Sequence, residues 1–184
     1  MNYYLWIVKH RDPIIQVLIL LNCLLALVWY VSFQIPVEAK MFGRIGLVLY
    51  ILTTIPGIMR RFGKYYKPVS ILMIFRRHIG IMTFMFVLIH ASTQLRGFIP
   101  AELFQLAGFF AFLILLSLFL TSNNWSVDTL GTWWHVIHNL TYIVVWLIFA
   151  HVALQRLSIW SVLIGITSVA QIASHIYAKR KERT

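Results

Sequence analysis

The sequence contains few charged residues and almost no cysteine. Charged side chains make up 11% of the 184 residues and hydrophobic side chains 60%, with a mean hydropathy of +0.81. A soluble core does not need so much apolar surface, whereas a bundle of membrane helices does. Because Cys23 is the single cysteine, a disulfide framework and a cysteine-based metal site are excluded within one chain.

Acidic residues are also scarce, with five against 16 basic residues and a net charge of +11. An excess of this size can indicate nucleic-acid binding. Here the basic residues cluster at the ends of apolar segments, which is the pattern that the positive-inside rule predicts for membrane proteins. We therefore expect no nucleic-acid partner.

Six apolar segments predict an all-α, integral membrane bundle of six transmembrane helices in a single domain, residues 1–184. Most segments reach the ~20 residues that a spanning helix needs. The first lacks a charged region leading to a small-residue cleavage site, so we expect a retained helix and not a cleaved signal. The segments cover roughly residues 13–35, 44–59, 79–97, 100–120, 131–154 and 157–177.

The basic residues lie mostly on one side of this predicted bundle. Four face the other side: Lys40, Arg44, Arg96 and Arg156. The N-terminus, the loop after the second segment and the C-terminal tail carry the rest: Lys9, Arg11, Arg60, Arg61, Lys64, Lys67, Arg76, Arg77, Lys179, Arg180, Lys181 and Arg183. The positive-inside rule then places both termini in the cytoplasm.

Histidines lie inside these apolar segments, where an imidazole is costly unless it has a partner. His90 lies six residues before Arg96 and His151 five residues before Arg156, at the outer ends of two parallel helices. The two imidazoles are thus expected at similar depth, and such a pair can hold haem iron at both axial positions. The alternative is that each histidine packs inside the bundle and bonds a backbone carbonyl.

A second pair is predicted nearer the cytoplasm. His138 lies about 19.5 Å below His151, and His78 about 18 Å below His90, at the helical rise of ~1.5 Å per residue. Two stacked haems would then form an electron path through the membrane. At ~100° per residue, straight helices would not aim all four imidazoles at one seam, so a kink, a π-bulge or supercoiling is required.

Other residues near these histidines have two interpretations each. Arg76 and Arg77 either bind the propionates of an inner haem or anchor the helix at the interface. His135 lies one turn before His138 and is expected to support the site or to pack. Three tryptophans before the fifth segment indicate an aromatic belt at the interface: Trp125, Trp133 and Trp134.

Three stretches resemble the ferric-reductase-like transmembrane domain, and in particular its MsrQ (YedZ) subgroup of haem-binding membrane subunits. They are FGRIGLVLYILTTIPGI at 42–58, RRHIGIMTFMFVLIHASTQL at 76–95 and LGTWWHVIHNLTYIVVWLIFAHV at 130–152. The resemblance covers about residues 42–155, with the motifs in order. It implies a b-type haem protein in which His90, His138 and His151 match the haem-associated histidines.

The sequence departs from that subgroup at two places. His78 falls where the subgroup usually has an apolar residue, and is similar instead to the four-histidine arrangement of NADPH oxidases and eukaryotic ferric reductases. The Arg-Pro-Tyr usual before the fourth helix is absent, and the stretch reads GFIPAELF. The resemblance therefore implies the haem domain, with one or two haems b, more strongly than it implies a particular partner.

The function implied by the resemblance is transmembrane electron transfer in a bacterial inner membrane. No Gly-rich nucleotide fingerprint follows a strand in this sequence, so we expect electrons from a quinol or a cytoplasmic flavoprotein, with FMN or a quinone as an additional cofactor. The expected acceptor is a periplasmic oxidoreductase, namely the catalytic subunit of a methionine sulfoxide reductase. The alternatives are a stand-alone reductase of ferric iron or oxygen, and a non-enzymatic haem carrier or sensor.

Overall fold

The computed structural model describes residues 3–32, 38–94 and 102–182, and these contain α-helices and no strand. Three of the described helices have only seven or eight residues, and the others have 15 to 28 and are mostly apolar. In chain order they are α1 Tyr3–Lys9, α2 Arg11–Ser32, α3 Ala39–Arg61, α4 Lys67–Gln94, α5 Leu103–Leu120, α6 Asn124–Leu130, α7 Thr132–Asn139, α8 Thr141–Gln155 and α9 Ile159–Lys181.

Within the described residues, six stretches are long and apolar enough to cross a membrane. They are Arg11–Val31, Ala39–Arg61, Lys67–Gln94, Leu103–Leu120, Thr132–Gln155 and Ile159–Lys181. The fifth combines α7 and α8. The predicted all-α architecture with six spans is therefore confirmed, and the chain is a multi-pass membrane protein.

Two helices are longer than the hydropathy of the sequence predicts. α3 covers Ala39–Arg61 instead of 44–59, and α4 begins at Lys67 instead of 79. Arg76 and Arg77 therefore lie within α4, so their predicted place in the loop before it is wrong, whereas His78 lies on the same helix as His90, as its predicted depth requires. Pro68 fits the first turn of a helix and lysine and arginine are good helix formers, whereas hydropathy detects only the apolar part of a helix.

The chain divides into two compact units. The first contains the described residues up to Thr93 and from Ala173 onwards. In it α3 and α4 run antiparallel, and a Cβ on Gly46 would lie 3.1 Å from Val87 Cγ2. At the other end of α3, Arg61 Nη1 donates to Ser174 Oγ at 3.3 Å, which joins α3 to the end of α9.

The second unit contains residues 94–172. Its α8 and α9 also run antiparallel, because Ser168 Oγ reaches Val145 O at 3.5 Å while Gly165 faces the Phe149 ring. Four of the five buried residues of α9 in this unit are polar, and the fifth is Ile164. Such residues let membrane helices approach closely and bond across the interface. The buried polar residues are Ser161, Thr167, Ser168 and Gln171.

Large apolar side chains cover the surface of both units. On α2, Leu20 and Leu27 are 59% and 58% exposed, and on α9 Ile166 is 63% exposed. Exposed apolar surface of this extent is expected where helices face lipid, because lipid tails are as apolar as the side chains.

Candidate functional site

His90 lies half-buried in α4, four residues before the helix ends at Gln94. Its Nδ1–H donates to the backbone carbonyl of Ala39, the first residue of α3, at 2.9 Å. A carbonyl oxygen can only accept a hydrogen bond. The proton of the neutral ring therefore sits on Nδ1, and the lone pair is at Nε2.

His151 repeats this arrangement in the second unit. It is half-buried, four residues before α8 ends at Gln155, and its Nδ1–H donates to the carbonyl of Phe104 at 2.7 Å. Phe104 is in the first turn of α5, which begins where the Glu102 backbone N–H donates to Gln105 Oε1 at 2.9 Å. The cap fixes the turn that carries the acceptor carbonyl.

These two histidines have the form that a metal ligand requires. A ligating histidine is neutral, presents one lone pair, and usually donates its other N–H to a carbonyl or carboxylate. A histidine that only packs can make the same Nδ1 bond, so the bond alone suits both interpretations. The lone pair at Nε2 is the feature that fits an iron ligand.

His138 is held differently. Its ring stacks on Trp134 at a centroid distance of 3.9 Å, and its Nε2 lies 3.1 Å from Thr121 Oγ1. The Thr121 hydroxyl also lies 2.8 Å from Ser117 O and 3.3 Å from Leu118 O. Nε2 of His138 therefore contacts a hydroxyl, a different kind of partner from the backbone carbonyls that hold His90 and His151.

Trp134 belongs to this arrangement and not only to an interfacial belt. Its indole Nε1–H donates to the Thr121 carbonyl at 2.9 Å, whereas Trp125 and Trp133 are exposed at 73% and 67%. No pattern in the sequence indicated the contact of Thr121 with His138. The contact of Trp134 with His138 could have been predicted, because residues four apart lie on one face of a helix.

His78 is half-buried in α4, and its Nδ1 is buried with no hydrogen-bond partner among the residues described. Arg76 and Arg77, just before it, are exposed. His135 is also exposed, with its ring edge-on to Trp134 at 5.1 Å. Arg96, from which the depth of His90 was predicted, lies outside the described residues. The assignment of His78, Arg76 and Arg77 as haem-binding residues stays a prediction.

Across residues 3–32, 38–94 and 102–182, no three side chains of His, Cys, Asp or Glu gather into a metal-binding group. The candidate chemistry needs only two, because a porphyrin supplies the equatorial nitrogens of its iron and the protein supplies the axial ligands.

Comparison with known proteins finds one group of relatives. The chain is 34% identical over 99 residues to a protein of Agrobacterium fabrum, with 48% of this chain and 46% of the relative covered. Its name is protein-methionine-sulfoxide reductase heme-binding subunit MsrQ. Over this stretch the chain is similar to MsrQ. The resemblance stated from the sequence motifs is confirmed.

Further MsrQ proteins give the same result. Those of Brucella anthropi and Brucella ovis are 32% and 33% identical over 82 residues, each covering 39% of this chain and 37% of the relative. The chain thus spans less than half the length of the MsrQ proteins it matches. No family model matches the chain, and no solved structure matches it.

Proposed function

We propose that the chain binds haem b through Nε2 of His90 and of His151, and that it passes electrons across a bacterial inner membrane. The observation that carries this proposal is the shared tautomer. Both rings donate Nδ1–H to a first-turn carbonyl of the helix that forms the preceding span, each from the fourth residue before its own helix ends. The name of the MsrQ relatives, which calls them heme-binding, supports it.

The chain's own residues fix the ligands before any haem arrives. The bonds to the Ala39 and Phe104 carbonyls restrain rotation of the rings and make Nε2 a better electron donor to a metal. The bound haem supplies reversible one-electron transfer, and the protein sets ligation and local dielectric.

A second haem at His78 and His138 is part of the proposal from the sequence, with Arg76 and Arg77 as partners of its propionates. Its support is uneven. The buried Nδ1 of His78, which has no partner within the described ranges, suits a ring that serves as a ligand. His138 would first have to release Thr121, whose hydroxyl lies 3.1 Å from its Nε2.

The proposed electron donor is a quinol or a cytoplasmic flavoprotein, and the proposed acceptor is the catalytic subunit of a periplasmic methionine sulfoxide reductase. The relatives' name supports the acceptor. The arrangement of basic residues supports the orientation. The Phe62 and Tyr177 rings lie 5.4 Å apart, so the basic end of α3 and the basic end of α9 meet at one end of the first unit.

Haem content of the purified protein tests the proposal. In a pyridine haemochrome assay we expect wild type to contain haem b, and the double variant His90→Ala/His151→Ala to contain almost none. His10→Ala is the matched control, because His10 lies just after α1 and bonds the Trp6 carbonyl four residues before it, and it should retain full haem. A wild type without haem, or a double variant with full haem, would contradict the proposal.

The number of haems per chain tests the second site at His78 and His138. Two haems per chain in wild type, falling to one in His138→Ala, would support the second site, whereas one haem per chain in both would contradict it.

In vesicles reduced from the cytoplasmic side, the proposed function requires reduction of an added periplasmic methionine sulfoxide reductase. Rapid reduction of an external ferric chelate without that enzyme would instead indicate a stand-alone reductase.

A further inference from the structure

Each of the two proposed ligands lies against a glycine of the preceding membrane span. A Cβ on Gly43 of α3 would lie 3.0 Å from Nδ1 and 3.1 Å from Cε1 of His90. A Cβ on Gly108 of α5 would lie 2.6 Å from Nδ1 and 2.8 Å from Cε1 of His151. Both rings thus occupy space that any other residue would fill.

The two contacts have the same geometry. In each case the nearest ring atoms are Nδ1, Cε1 and Cγ, in that order, so the Nδ1 edge faces the glycine and Nε2 lies on the opposite edge. Gly43 follows Ala39 by four residues, and Gly108 follows Phe104 by four. Since residues four apart share one helix face, the acceptor carbonyl and the glycine lie on consecutive turns.

This arrangement distinguishes Gly43 and Gly108 from the other glycines within the described ranges. Gly46 and Gly165 face the side chains of Val87 and Phe149, and Gly80 faces open space. A glycine inside a helix costs about 0.5–1 kcal/mol relative to alanine. Its presence at both histidine contacts therefore calls for a reason other than helix stability.

We propose that Gly43 and Gly108 are positioning residues that seat the two haem-ligating imidazoles. This inference rests on the proposed function. Without a Cβ, the helix lets the ring come close enough to donate Nδ1–H to the carbonyl one turn earlier, and that bond directs Nε2 away from the helix. An added methyl group would displace the rigid ring, break its hydrogen bond to the carbonyl and change the direction in which Nε2 points.

Alanine variants of the full-length protein, assembled with haem, test this inference. We expect Gly108→Ala, which has the shorter contact, to retain haem about 10- to 100-fold less tightly, the usual cost of losing a residue that orients a ligand. We expect Gly43→Ala to retain more haem but to shift the low-spin electron paramagnetic resonance signal and the midpoint potential. Gly80→Ala, in open space on α4, is the matched control and should behave as wild type.

These measurements distinguish a failure of the positioning role from a failure of the proposed haem binding. If wild type contains no haem, the proposed function fails. If wild type contains haem, and Gly43→Ala and Gly108→Ala match it in retention, resonance signal and potential, the positioning role is wrong. Should Gly108→Ala not fold, Gly43→Ala decides alone. Carbon monoxide binding to its reduced haem, absent in wild type, would show a displaced axial ligand and support the role, whereas an unchanged signal would overturn it.

Discussion

At the scale of single residues, the hydrogen-bond partner separates the histidines. His90 and His151 donate Nδ1–H to a backbone carbonyl, whereas Nε2 of His138 lies 3.1 Å from the Thr121 hydroxyl. Hydropathy and spacing identified all three as intramembrane histidines. They did not identify the tautomers, since these depend on acceptors located on other helices.

The bond between Thr121 and His138 gives a prediction for stability. We expect a double-mutant cycle of Thr121→Val and His138→Ala to show a coupling of about 0.6 kcal/mol, the average for side-chain hydrogen bonds between membrane helices. The measurement is the free energy of unfolding in detergent by chemical denaturation.

Thr53→Val provides the control for that cycle, because the Thr53 hydroxyl donates to the Tyr50 carbonyl of its own helix. Combined with His138→Ala, it should show no coupling. Equal couplings for the two threonines would mean that the bond between Thr121 and His138 does not stabilise the protein.

At the scale of helices, the fifth span is not a continuous helix. α7 ends at Asn139 and α8 begins at Thr141, and at the break Leu140 N–H donates to Ile137 O at 3.0 Å, three residues back. The break lies between His138 and His151. Straight helices would not direct all four imidazoles to one side of the bundle, and this break is a departure from a straight helix. That the four imidazoles face one side stays a prediction.

Hydropathy located every span but misplaced the helix ends where charge and helix propensity disagree. α4 continues through Arg76, Arg77 and His78 to Lys67, because polar residues with good helix propensity extend a helix beyond its apolar part. α3 likewise passes Pro56 and ends at Arg61. Proline is tolerated in membrane helices because neighbouring groups satisfy the freed backbone.

The close approach of α3 and α4 predicts a compensating pair of substitutions. Gly46→Ala should destabilise the protein by about 1 kcal/mol, since a Cβ there would press on Val87 Cγ2 at 3.1 Å and overpacking costs roughly 1–3 kcal/mol. Adding Val87→Ala should recover part of the loss. Thermal denaturation in detergent measures both.

Gly57→Ala is the control for this pair, because its Cβ would meet only Arg61 Nη1 at 3.9 Å, an ordinary contact. It should not lower the melting temperature. If Gly46→Ala were as stable as Gly57→Ala, or if Val87→Ala gave no recovery, close packing at Gly46 would not explain this glycine.

At the scale of the whole molecule, the distribution of charge predicts the orientation in the membrane. The basic ends of α3 and α9 meet in the first unit through Arg61 and Ser174, in agreement with a single basic side. Positive residues in short loops remain on the cytoplasmic side, so both termini are expected there.

Reporter fusions measure this orientation. We expect green fluorescent protein joined after Thr184 to fluoresce and alkaline phosphatase joined there to be inactive. Alkaline phosphatase joined after Gln94, at the end of α4, should be active, because that end is expected in the periplasm. Active phosphatase after Thr184, in fusions expressed equally by immunoblot, would reverse the predicted topology.

The sequence by itself determined the membrane class, the six spans and the histidines worth testing. Hydropathy is a local property that can be summed over the ~20 residues of one span. A histidine inside an apolar segment can be recognised from the sequence, because placing an imidazole in the membrane costs free energy. Tertiary structure alone decided how each imidazole is held. The bonds of His90 and His151 join residues 51 and 47 positions apart, and the contacts at Gly43 and Gly108 form only when those helices pack.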